Sequence, residues 1–153
     1  MYDKNTNVLG LFQLKWQERF GASLKERYSR ISNLYPKTKE WIDKVETWIR
    51  ESDPRSGMQK FGIDYPSNEP VKVLFFVVCR YGTFFTGHKP DERATWSSIW
   101  QMVKVFSQIP RNVSNKLEVL HNLLYHEYLS LSERLQNPGE ELFNIGDYEI
   151  CLK

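Results

Sequence analysis

The run VKVLFFVVC at 71–79 constrains this chain more than any other stretch of its sequence. It carries one charge, Lys72, and is about half as long as the roughly 20 apolar residues that a membrane-spanning helix requires. Protein must therefore enclose it on every side. Its β-branched and aromatic residues suit a buried strand, whereas its length and helical neighbours suit a buried helix. A buried parallel strand needs companions of its own kind, and no other run matches it. The sequence leaves both conformations open, and the expectation is a central helix around which the others pack.

Five further segments show helical patterning. Leu9, Phe12, Trp16 and Phe20 recur at spacings of three and four, which predicts a helix over 6–20 ended by Gly21. Ser23 and Glu26 form a capping-box pattern, followed by Leu24, Tyr28 and Ile31 on one face. Pro36 suits the first position of a third helix, with Trp41, Ile42, Val45, Trp48 and Ile49 on one side. On its other side Glu40–Lys44 and Glu46–Arg50 are expected to pair at i,i+4. Asp91 and Glu92 after Pro90 suit the positive end of a helix that carries Trp96, Ile99, Trp100, Val103 and Phe106 and stops at Pro110. Ser114 caps the longest helix, with a seam of Leu117, Leu120, Leu124, Tyr128, Leu131 and Leu135 and a stop at 137–139.

The expected architecture is mainly α. It is a single-domain bundle of about six helices, with minor β structure at the C-terminus, where Tyr148, Ile150 and Leu152 alternate with Glu149 and Cys151. One domain suits 153 residues. Within it, 1–52 is a basic helical half, 53–70 a long irregular segment, 71–136 the core helices and 137–153 a tail. Charge separates the same way: 12 Lys/Arg against 8 Asp/Glu over 1–60, and 9 against 11 over 61–153.

Two cysteines are few for a secreted domain of this size, which favours a reducing compartment while leaving a Cys79–Cys151 pairing open. The first residues lack the apolar stretch of a signal peptide. The expectation is an intracellular protein, cytoplasmic or, in a eukaryotic host, nuclear.

No catalytic, cofactor or metal motif emerges. Glu118 and His121 have the Glu-x-x-His spacing of di-iron bundles, but such sites need a second copy of the motif, and position 123 before His126 is leucine. His121 and His126 diverge around a helix by about 140°. The glycines at 82 and 87 bracket a stretch like a phosphate loop, yet His88 stands where the essential lysine belongs. Cys79 and Arg80 lack phosphatase spacing. An enzyme built around His121, His126, Glu118 or Glu127 is the least favoured reading.

Partner binding is favoured instead. The leading expectation is a non-enzymatic interaction or assembly module using the loops 53–70 and 81–90. Phe61, Tyr65, Tyr81, Phe84 and Phe85 would anchor a protein partner or a second copy, since aromatic anchors dominate binding hot spots. The alternative is a nucleic-acid or anionic-surface binder acting through Lys15, Arg19, Lys25, Arg27 and Arg30. Modules of this size without motifs serve as adaptors, assembly proteins and accessory proteins of viruses or mobile elements.

Overall fold

A computed structural model describes residues 1–15, 24–65, 70–80, 91–136, 141–145 and 148–152, with side chains described for 1–15, 34–65, 70–80 and 91–130. The run at 71–79 is a strand. Lys72–Cys79, β3 below, has its residues from Leu74 to Cys79 buried on both faces. Its companions are the two segments whose helical spacing conceals them. Val8–Lys15 is β2 and Ala94–Ser98 is β4, and both run parallel to β3. Tyr2–Asp3, β1, folds back antiparallel on β2 through a turn in which Asn7 takes φ 54°. The sheet order is β1-β2-β3-β4.

The chain is therefore α/β, not a six-helix bundle. Among the described residues there are four helices, this mixed sheet and a separate two-stranded hairpin of Glu141–Ile145 (β5) and Tyr148–Leu152 (β6). Helix α1, Leu24–Glu51, merges the second and third expected helices, so Pro36 lies inside it rather than at a first turn. An internal proline costs a helix about 3 kcal/mol. Leu34, Thr38 and Ile42 continue one buried stripe across it, and their packing on the sheet offsets that cost. Helix α2, Pro54–Lys60, occupies part of the segment expected to be irregular, with Asp53 accepting from the Ser56 amide at its start.

Helices cover both faces of the sheet. Phe75, Val77 and Cys79 pack with Leu34 and Ile42 of α1, and Leu9 packs with Met58 of α2. Leu74, Phe76 and Val78 point the other way, toward α3 (Ile99–Gln108) and α4 (Lys116–Gln136). On this face Phe12 stacks on Phe76 at 4.5 Å between ring centres. A Cβ at Gly10 would stand 3.2 Å from Leu117 Cδ2, so the missing side chain lets α4 approach β2 closely. Leu117, Leu120 and Leu124 join one core cluster and Tyr128 the other, so α4 follows the edge strand β4 and serves both faces. Enclosure on both faces is why β2 and β3 show no alternation of polar and apolar residues.

Helix α3 begins at Ile99, nine residues after the proline expected to start it. Ser98 accepts from the Gln101 amide at 3.1 Å, and the Gln101 side chain accepts from the Ser98 amide at 2.9 Å. This capping box ends β4 and starts α3 with no loop between them. Trp16, Phe20, Gly21 and Ser23 of the first two expected helices lie outside the described residues. Among the described residues no helix is long and apolar enough to cross a membrane.

Candidate functional site

The shift in the start of α3 changes the fate of its apolar stripe. Val105 is buried, Met102 packs against the core, and Ile109 closes the end. Ile99, Trp100, Val103 and Phe106, the residues expected inside, face outward; Trp100 is 77% exposed. Beside them runs a groove of about 540 Å³ between α3, α4 and the N-terminal strands. Phe12, Met102, Leu117 and Leu120 form its floor, and Met1 and Tyr2 one wall. Lys4 and Lys116 stand at its rim with Asp3, and Lys104 is exposed on α3. This continuous stripe beside a groove differs from the scattered single apolar residues of an ordinary surface.

A second concavity of about 480 Å³ lies at the amino ends of the parallel strands. Leu9, Met58, Val73 and Phe75 line it, with Glu46 and Arg50 of α1, and Glu92, Arg93 and His121 on the β4 side. Arg93 is a hub. Its Nη2 donates to Asp43 Oδ1 at 2.7 Å and Asp91 Oδ2 at 2.6 Å, its Nη1 to Glu46, and its Nε to Asp91 Oδ1. These bonds hold the Asp91 carboxyl below its usual value and push the guanidinium pKa upward. His121 is buried, with its ring edge-on to Phe76 and its Nε2 3.3 Å from the Arg93 carbonyl. Burial, the main cause, lowers its pKa and favours the neutral imidazole.

No family model, curated protein or solved structure matches this chain. Residue roles rest on geometry alone.

That geometry redistributes the residues singled out in the sequence. Tyr65 is 2% exposed and packs edge-on to Tyr2, so it is core and not an anchor. Phe61 is 42% exposed and lies against Trp48, with ring centres 5.6 Å apart. Tyr81, Phe84, Phe85 and His88 lie outside the described residues, as does Arg19. Lys25, Arg27 and Arg30 fall in the first turns of α1. Lys15 ends β2, and its carbonyl accepts from the Arg80 amide at 3.2 Å. Burial lowers the Lys15 pKa, and the nearby Lys37 charge acts in the same direction.

The Glu118–His121 pair is not brought together for chemistry. Glu118 pairs with Lys72 of β3, whose hydrogen bond lowers the carboxyl pKa, while His121 faces the Arg93 carbonyl. His126 is exposed beside Tyr125. Sequence reasoning missed the α3 face, and the Ser98–Gln101 capping box was the signal that could have found it. Arg93 left no such signal, because its partners Asp43 and Glu46 are some fifty residues away.

Proposed function

We propose that this protein is a non-enzymatic interaction module that holds an amphipathic helix of a protein partner along α3 and the adjoining groove. The observation that carries this reading is the outward stripe of Trp100, Val103 and Phe106. Their spacing offers ridges to a second helix, and the groove offers it an apolar floor. The lysines at 4, 104 and 116 favour a partner helix with acidic flanks. The protein stays within the interaction class expected from its sequence, with α3 rather than the aromatic loops as the proposed surface. An intracellular setting suits it.

The test is fluorescence anisotropy with a labelled helical peptide of about five turns carrying a leucine ridge and glutamate flanks. Binding should weaken at least tenfold for the double variant Trp100→Ala, Phe106→Ala, which is more than 1.4 kcal/mol. Circular dichroism should be unchanged, because both side chains are exposed. A peptide with lysine flanks should bind more weakly. Equal affinity for wild type and variant would sink the proposal. A dimer in light scattering that the same variant dissociates would replace the partner helix with a second copy.

A second reading, nucleic-acid or anionic-surface binding, draws support from one feature. Lys15 and Arg80 meet at the carboxyl ends of β2 and β3, near Lys37, where open α/β sheets hold their ligands. Lys25, Arg27 and Arg30 lie in the turns of α1 that precede its sheet-packed residues. Affinity for single-stranded oligonucleotides should then fall steeply with salt and decrease in Lys15→Gln, Lys37→Gln. Binding that ignores salt would eliminate this reading.

A further inference from the structure

The cleft at the amino ends of the strands combines an apolar floor with a guanidinium, that of Arg50, which has no ion-pair partner among the described residues. The spacing in the sequence predicts two ion pairs along α1. Glu40 and Lys44 form theirs at 2.6 Å. Glu46 instead turns to Arg93, which already binds Asp43 and Asp91. Arg50, one turn further along α1 and lining the cleft, makes no ion pair among the described residues.

We propose that this cleft binds a small amphipathic carboxylate, its apolar body lying on Leu9, Met58, Val73 and Phe75 and its carboxylate held by Arg50. The volume of about 480 Å³ falls within the range of small-molecule sites, which are mostly apolar with a few converging polar groups. Arg50 can grip a carboxylate with two parallel N–H bonds, a geometry a lysine would not supply. Arg93 offers no competing anion site, since three carboxylates surround it. Glu92 lines the β4 side with His121, whereas Arg50 lies on the α2 side with Ser52. An anionic head is repelled from the first end and attracted to the second, which sets the orientation of the ligand.

Decanoate is a suitable probe, with decanol as the uncharged match, titrated by calorimetry against the full chain. Decanoate should bind saturably and at least tenfold more tightly than decanol. Arg50→Gln should remove that advantage while leaving decanol binding unchanged. Gly57 borders the cleft, and a Cβ there meets only Ser52 Cβ, at 3.7 Å. Gly57→Leu, whose Cβ this position accommodates, should fill the space and abolish binding of both probes, with circular dichroism checking that the fold is kept. The proposal is overturned by equal affinity for the two probes, by undiminished decanoate affinity in Arg50→Gln, by unimpaired binding in Gly57→Leu, or by no saturable binding. None of these outcomes touches the α3 surface, whose variants are separate.

Discussion

Phe76→Ala should lower the unfolding free energy by about 4 kcal/mol, close to the whole stability of many domains. Phe76 is fully buried at the centre of β3. Its ring stacks on Phe12 and meets His121 edge-on at 5.4 Å, and it lies beneath the close approach of α4 to Gly10. Removing it takes away transferred apolar area and leaves a cavity whose walls belong to three elements that cannot collapse together. Urea denaturation followed by circular dichroism measures the loss. The control is Phe106→Ala, which should change stability by no more than about 0.5 kcal/mol because that ring is 51% exposed. In a helical bundle with the 96–106 stripe in its core, Phe106 would be as costly as Phe76. A large loss from Phe106→Ala would therefore count against this fold.

Arg93→Ala should cost about 2 kcal/mol at neutral pH, and the cost should shrink in acid. The guanidinium joins the start of β4 to α1 through Asp43 and Glu46 and binds Asp91 beside it. Asp43 and Glu46 are half-exposed, so their pairs contribute little. Asp91 has a side chain only 12% exposed, and losing its charge-assisted bonds carries most of the effect. The Asp91 carboxyl titrates below its unfolded value near 3.8 when folded. A depressed carboxylate contributes stability above the unfolded pKa, and that contribution disappears as pH falls through the folded pKa. Wild type should accordingly lose this increment below about pH 4, and the deficit of Arg93→Ala should narrow there. Urea midpoints at pH 7 and pH 3 measure both; an equal deficit at the two values would mean that the lost interaction is packing and not charge.

How much of this was legible in the residues varies by element. Helix α4 was readable nearly end to end, because Leu117, Leu120, Leu124 and Tyr128 face the core at true helical spacing. The merged α1 was readable in its stripe but not in its continuity, since Pro36 signals a start wherever packing is unknown. Strands β2 and β4 were misread as helices for a physical reason. A strand covered on both faces has no two-residue alternation, so Leu9 and Phe12 of β2, or Trp96 of β4 read on into Ile99 and Trp100 of α3, mimic a 3.6-residue period. Once those strands were lost, β3 had no companions and was assigned to a helix.

The candidate sites were less legible still. Whether Trp100 and Phe106 are core or surface depends on a rotation of α3 that Val105 and Ile109 decide by packing on the sheet. The charge on Arg50 stands apart only because Arg93, brought in just ahead of β4, takes Glu46 away from it. By itself the sequence determined the chain's need to enclose 71–79, the approximate span and apolar face of α4, and the Glu40–Lys44 pair, all of which depend on neighbours within a few residues. Tertiary structure alone decided the sheet, the outward face of α3 and the Arg93 hub, because strand pairing and ion pairs between distant segments leave no local period to read.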